Sequence, residues 1–382
     1  MIKSIRIENF GGISEVGLNA LSNINLIIGP NQSGKTTMLK ALYVAVKTTE
    51  QNRRGAENRS DKEILADKLY WTFQARELSA LVKKGSNSLS YSMTSDKGEK
   101  FSFSFTASAA KYANITDNTF APTVTNSIFI PAKEILSIKN AIINSRLRTE
   151  QGYDDTYYDL AMALTPTTKG RNYEAFANAR RSIETMVGGR LDFDVSKEQW
   201  VFQDENRRVY EIAMTSEGVK KISILDVLLG NRYLSSQSII FIDEVEANLH
   251  PAMINTFMNA VMMLSQVGVQ FFISTHSYFV IKRLYILAHK HGVSVPVFSF
   301  ADGECSYGDL QKNMPKNAAK HLESIKETKM ILEDLGLLRE MLEDSADSII
   351  YTTYKFSCKG KFVDGSSFEC KDMYVNITPD GE

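Results

Sequence analysis

Apolar positions recur in two rhythms along this 382-residue chain. At the start they alternate. Ile2, Ile5 and Ile7 stand among Lys3, Arg6 and Glu8 until Gly11-Gly12 breaks the run, which predicts strand, turn, strand. Asn25-Leu26-Ile27-Ile28 reads as a short buried strand that stops at Gly29-Pro30. Over residues 36–47, Met38, Leu39, Leu42, Val44 and Val46 follow a helical spacing, so a helix begins directly behind a glycine-rich loop. Residues 51–61 are polar and read as a surface loop.

Between residues 69 and 130 the alternation returns, as in Ser90-Tyr91-Ser92-Met93 and Phe101-Ser102-Phe103-Ser104-Phe105, and predicts a β-rich subdomain of antiparallel strands. Residues 132–187 turn helical, as in Thr156-Tyr157-Tyr158-Asp159-Leu160, and form an insertion that Gly188-Gly189 closes. A hairpin is expected over 190–213 and a helix over 218–234. Ile239-Ile240-Phe241-Ile242 is a buried strand, 252–267 a helix and 269–274 another buried strand, an order that predicts a parallel sheet in an α/β domain spanning 1–315. Residues 316–382 read as a C-terminal α+β extension: a charged helical stretch to about residue 344, broken at Gly336, then strands joined at Asp364-Gly365.

Composition narrows the class. With 43% apolar and 23% charged residues the chain carries a full core. Its 44 basic and 45 acidic residues nearly cancel, so any nucleic-acid contact must come from a local patch. Candidates are Arg53-Arg54, Lys83-Lys84, Arg146, Arg148 and Arg180-Arg181, each equally well a solvated face. Cys305, Cys358 and Cys370 lack CxxC spacing and read as reduced thiols. The charged opening is no signal peptide, and no apolar run approaches the roughly 20 residues of a membrane helix. A cytoplasmic protein without membrane contact is the expectation.

The loop Gly29-Pro30-Asn31-Gln32-Ser33-Gly34-Lys35-Thr36 fits GxxxxGK[ST]. Two glycines let the backbone curl so that successive N–H groups face phosphate oxygens. Lys35 brings a point charge to the β- and γ-phosphates of ATP, the Thr36 hydroxyl ligates Mg2+, and the following helix, with Thr37 in its first turn, presents its positive end to the same anion. A second carboxylate must hold the cation, and Ser238-Ile239-Ile240-Phe241-Ile242-Asp243-Glu244 supplies it at the end of a buried strand. Asp243 is the expected metal residue and Glu244 the base for the attacking water. The alternative for such a pair is an ordinary helix N-terminus.

Asp243-Glu244-Val245-Glu246-Ala247-Asn248-Leu249-His250-Pro251 resembles the D-E-P-E-x-x-L-H-P run of OLD-like ATPases of the ABC class, with Val245 where proline is usual. Ile273-Ser274-Thr275-His276-Ser277 is similar to the family's next strand and its switch histidine, so His276 is expected to contact the γ-phosphate. Thr215-Ser216-Glu217-Gly218-Val219-Lys220-Lys221 resembles a degenerate signature segment, and Phe10 fits the end of the first strand. Ile130-Pro131-Ala132-Lys133-Glu134 and the run from Thr156 look similar to AAA-type ATPases of defence and toxin–antitoxin loci. The resemblance covers residues 1–50 and 210–285 and implies an ABC-class P-loop fold with a mixed β-sheet core. It also implies a homodimer or higher multiple, in which Ser216 and Gly218 of one chain close the ATP site of another. The alternative for Ser216 is the cap of an ordinary helix. No glutamine stands out for a Q-loop; Gln74 is the nearest candidate.

A nuclease within the chain is not expected. Glu333-Asp334 and Glu343-Asp344 form no DxD, no zinc spacing occurs, and His289 and His291 flank Lys290 on a polar face. The leading expectation is an ATP-driven dimeric sensor or switch in a defence or toxin–antitoxin system, with a separate nuclease or toxin effector. The alternatives are an SMC/RecF-type repair ATPase that binds DNA directly, a transporter subunit, and a binder that uses ATP only to dimerise.

Overall fold

The structure, a computed structural model, describes residues 1–148, 152–164, 174–194, 196–197, 199–301, 304–312, 315, 354–361 and 367–375. The chain divides into two compact units, Met1–Glu323 and Ser324–Glu382.

The first unit opens with a hairpin, β1 (Ile2–Phe10) and β2 (Ile13–Leu18), turned at Gly11 with φ +56°. Next, β3 (Ile24–Ile28) is buried at every position and runs through the glycine loop into α1 (Lys35–Gln51). The helix is longer than its sequence period suggests because Tyr43 to Glu50 are all buried, packed from more than one side. α2 (Asp61–Phe73) follows behind a capping box, in which Ser60 and Glu63 satisfy each other's backbone N–H. Residues 69–73 are therefore helix, not the strand expected there. Buried Ile64, Leu65, Leu69 and Thr72 carry the helical period.

β4 (Ser88–Ser95), β5 (Lys100–Thr106) and β6 (Asn114–Asn118) are the expected antiparallel strands, and β4 pairs with β1, giving the order β2-β1-β4-β5-β6. β7 (Ile128–Ile130) departs from the alternating reading. All three residues are buried and the strand joins the parallel sheet, where both faces are covered. The helical insertion comprises α3 (Lys139–Leu147), α4 (Asp155–Ala163) and α5 (Glu174–Val187). Where a hairpin was expected, β8 (Gly189–Asp194), β9 (Gln199–Asp204) and β10 (Val209–Glu211) form a three-stranded meander. Then come α6 (Glu217–Gly230), β11 (Ile239–Ile242), α7 (Pro251–Gln266), β12 (Gln270–Thr275), α8 (Tyr278–His291), β13 (Pro296–Ala301) and β14 (Glu304–Asp309).

The central sheet has the order β14-β13-β3-β12-β11-β7, parallel except for β13 against β14, so it is mixed. One face carries Ile27, Phe129, Phe241, Phe272 and Phe298, packed with α1 and with Tyr91, Phe101 and Phe103 of the antiparallel sheet. Tyr43 meets Phe129 and Phe241 edge-on at 5.6 and 5.7 Å. The other face carries Leu26, Ile28, Ile240, Ile242 and Ile273 against α4 to α8. Each fully buried ring or aliphatic chain contributes roughly 1.5–3 kcal/mol. The loop between β3 and α1 is thus anchored between a strand buried at every position and a helix buried along most of its length.

In the second unit the described residues form one antiparallel hairpin, β15 (Tyr354–Lys361) with β16 (Ser367–Val375), and Cys358 stands opposite Cys370 in its register. The expected charged helix, its acidic pairs, Gly336 and the Asp364-Gly365 turn lie outside the described residues.

Candidate active site

Three parallel strands end side by side, and the chemistry lies on their C-terminal ends. β3 delivers the glycine loop. A Cβ at Gly29 would fall 2.6 Å from the Phe300 carbonyl oxygen and 2.7 Å from Ser33 Oγ, so no other residue fits. Gly34 takes φ +97° and caps α1 without any side-chain hydrogen bond, and the first turn of α1 holds no acidic residue. The helix's leading N–H groups are left for an anion. Pro30, Asn31 and Gln32 (φ +66°) are exposed, Ser33 and Thr37 are half-buried, and Ser33 Oγ is buried without a hydrogen-bond partner. Lys35 is buried, its Nζ donating to the carbonyls of Gly29 (2.7 Å) and Pro30 (2.8 Å). Burial pushes its ammonium below the usual lysine range, while Glu244, Asp243 and Glu246 pull it back.

β11 ends in Asp243, whose two carboxylate oxygens accept from Thr36 Oγ1 at 3.1 and 2.9 Å. Ser274, on the neighbouring β12, donates to Asp243 Oδ1 at 2.5 Å and accepts from the Glu244 N–H at 2.9 Å. This serine had no role in the sequence reading. The signal for it is the parallel register Ile242↔Ile273, which sets the next residues of both strands side by side. Glu244 itself has φ +45°, a strained conformation for a non-glycine residue. Among the described residues its carboxylate makes no hydrogen bond.

Two lysines of the segment 215–221 prove to be buried. Lys220 Nζ donates to Ser137 Oγ and Glu217 Oε1, and Lys221 Nζ donates to the backbone carbonyls of Glu244 (2.8 Å) and Ala247 (3.3 Å). Burial pulls the Lys221 pKa down to about 8, against the attraction of Glu246, Asp243 and Glu244. Ser216 is exposed and caps α6, accepting from the Val219 N–H at 3.4 Å; Gly218 packs so tightly that a Cβ would lie 3.0 Å from the Asn248 carbonyl oxygen. Among the described residues no hydrogen bond joins Ser216 or Gly218 to the glycine loop of the same chain.

His276 is exposed at the end of β12, and Glu246 accepts from its backbone N–H at 2.9 Å. His250 caps α7 through Nδ1 with Pro251 at the first helical position, which accounts physically for the Leu-His-Pro run. Gln74 closes α2 with φ +52°. Several candidate nucleic-acid contacts are engaged in the fold. Arg54 holds the carbonyls of Val124 and Thr125, Arg146 stacks 3.5 Å over Trp71 beside Asp155, and Arg180 pairs with Asp226.

The residues present fit a magnesium triphosphate. Thr36 and Asp243 are hard oxygen donors, the orphaned Ser33 hydroxyl and uncapped α1 suit phosphate oxygens, and Lys35 is a buried cation. Among the described residues no group of three His, Cys, Asp or Glu side chains could hold a metal, so the remaining ligands would come from phosphate and water. No helix among them is long and apolar enough to cross a membrane.

The mixed sheet, with the glycine loop at the end of one parallel strand and the paired carboxylates at the end of another, is the fold of an ABC-type P-loop ATPase domain. The model of the family described as "AAA domain, putative AbiEii toxin, Type IV TA system" matches residues 24–282, more than half of the chain, and the chain belongs to that family. Over 83 residues it is 30% identical to the DNA replication and repair protein RecF of Lactococcus lactis; that match covers 22% of this chain and 21% of RecF, so the chain spans about a fifth of the curated relative's length. A structure of the SmcHead bound to the C-winged helix domain of ScpA is similar in fold, with TM-score 0.50 at 12% identity over 84% of this chain and 99% of that one. The SMC head domain from Thermotoga maritima aligns at 12% identity and TM-score 0.43 over 81% of this chain and 98% of that one.

Proposed function

We propose that the chain binds ATP with magnesium and hydrolyses it to ADP and phosphate as a dimeric switch, in a cytoplasmic toxin–antitoxin or defence system with a separate effector. The observation that carries the chemistry is the Thr36 hydroxyl on the Asp243 carboxylate, with Glu244 next along the chain. Lys35 would exchange the Gly29 and Pro30 carbonyls for β- and γ-phosphate oxygens. Thr36 and Asp243 would hold magnesium, which when bound neutralises phosphate charge. Glu244 accepts a proton from the water that attacks the γ-phosphorus, and ADP leaves. His276 meets the γ-phosphate from the side of β12. Ser216 and the Gly218 backbone act on the site of a second copy, so closure follows ATP and reopening follows hydrolysis. Membership of a family described by a putative AbiEii toxin of type IV toxin–antitoxin systems supports that setting.

Two variants test this reading. Lys35→Ala should lose ATP binding in calorimetry; retained affinity would count against the loop. Glu244→Gln should bind ATP, turn over on the order of 10²–10⁴-fold more slowly, and stay associated by light scattering. Wild-type turnover in that variant would remove Glu244 as the base. The RecF match favours a second reading, a repair ATPase that contacts DNA. Turnover stimulated by DNA with no partner protein present would select it.

A further inference from the structure

Glu246 makes three contacts that none of these roles uses. Its Oε1 accepts from the His276 backbone N–H at 2.9 Å and lies 3.1 Å from His276 Nδ1; its Oε2 accepts from the Thr275 hydroxyl at 2.7 Å. The glutamate side chain is 11% exposed and the histidine 49%, so the carboxylate is held inside while the ring reaches the surface of the site.

A neutral imidazole carries one N–H, and the nitrogen that faces a carboxylate is the one that keeps it. Here that nitrogen is Nδ1. The geometry points to Glu246 as the positioning residue of His276, fixing ring orientation and the Nδ1–H tautomer so that Nε2 is the atom free for a nucleotide. The functional half of this inference rests on the reading of His276 as the γ-phosphate contact. A phosphate oxygen is met by an N–H, so Nε2 serves that contact once it has taken up a proton, and the Glu246 carboxylate on the opposite nitrogen balances the charge that the proton brings.

The glutamate is itself aimed by its backbone. Lys221 Nζ grips the carbonyls of Glu244 and Ala247, on either side of Glu246, and the Ala247 N–H donates to the Glu244 carbonyl at 2.9 Å. The chain from α6 through the carboxylate turn to the end of β12 is therefore continuous: a lysine, a pinned turn, a carboxylate and a ring.

The test is ¹⁵N-imidazole correlation spectroscopy on the full chain without nucleotide, at a pH where the ring is neutral, with His276→Gln to assign the signal. The wild type should show Nδ1 protonated and Nε2 bare. Glu246→Leu should move His276 toward the Nε2–H form, leave the His250, His289 and His291 signals in place, and lower kcat roughly tenfold with KM unchanged. If Glu246→Leu does not fold, Glu246→Gln decides: its amide oxygen can still accept from Nδ1, so the tautomer should persist while kcat falls with the lost charge. An Nε2–H tautomer in the wild type or in Glu246→Gln, or an unmoved tautomer in Glu246→Leu, overturns the inference. A tautomer that moves as expected with turnover intact upholds the positioning and instead removes His276 from the γ-phosphate.

Discussion

Lys221 is buried beneath three carboxylates, yet its hydrogen bonds go to backbone carbonyls. Burial costs the charged form more than the carboxylates return, hence a pKa of about 8 against the usual 10.5. The sign follows from proton counting. Between these two values the unfolded chain holds a proton that the folded chain has released, so this group's contribution to stability rises with pH across that window and is least below it. Lys221→Met should abolish that rise: the stability difference, wild type minus variant, should grow by about 3 kcal/mol from neutral to strongly alkaline pH. Denaturant titrations at several pH values measure it, and a pH-independent difference would mean the lysine is not desolvated in the folded state. Gly34 is another position where one residue decides. Its φ of +97° and the Ile13 side chain 3.1 Å from a hypothetical Cβ leave room only for glycine.

At the scale of elements, α1 and α2 are tied to the helical insertion by buried and half-buried polar contacts. Lys40 of α1 pairs with Asp154 ahead of α4 at 2.6 Å, and the Tyr43 hydroxyl donates to Asp159 at 2.5 Å. Lys68 of α2 meets Asp155 at 2.9 Å and Asp159 at 2.8 Å, and Arg146 of α3 meets Asp155 at 2.7 Å. Burial would push the Asp159 carboxyl up, but Lys68 and Lys47 hold it below its ordinary value. Its contribution is therefore present above the unfolded carboxylate range and is lost as pH falls through the folded value. Lys68→Met leaves Asp155 and Asp159 buried with too little positive charge and should cost about 3–5 kcal/mol at neutral pH. The cost should shrink in acid, where the carboxylates of the variant take up protons. Thermal melts across pH follow this directly, and a cost that is constant with pH would contradict the ionic account.

For the whole molecule, the proposed shared site makes a prediction no single chain can satisfy. Lys35→Ala and Ser216→Arg should each abolish turnover, because every site then lacks one of its two halves. Mixed together, the two variants should recover roughly a quarter of wild-type activity, since half the dimers of a two-fold assembly are mixed and each holds one intact site. Failure to recover any activity, with both variants folded and exchanging subunits, would leave the site within one chain.

The local signals were legible from residues alone. GxxxxGK[ST] between a buried strand and a helix, and an Asp-Glu pair leaving an apolar strand, are patterns of near neighbours, and backbone curl and charge act over a few residues. The helical and alternating periods likewise predicted most elements. They failed at residues 69–73, where a capping box outweighed an aromatic composition, and at residues 128–130, where three buried residues give no alternation to read. The partners across the sheet were a different matter. Ser274 on Asp243, Glu246 on His276 and Lys221 under Glu244 join residues 23–31 positions apart, and they meet because β11 and β12 lie parallel in register with α6 packed nearby. Periodicity tells which face a side chain takes, but the order of strands within a sheet is set by how the whole core packs, and that order chose these partners.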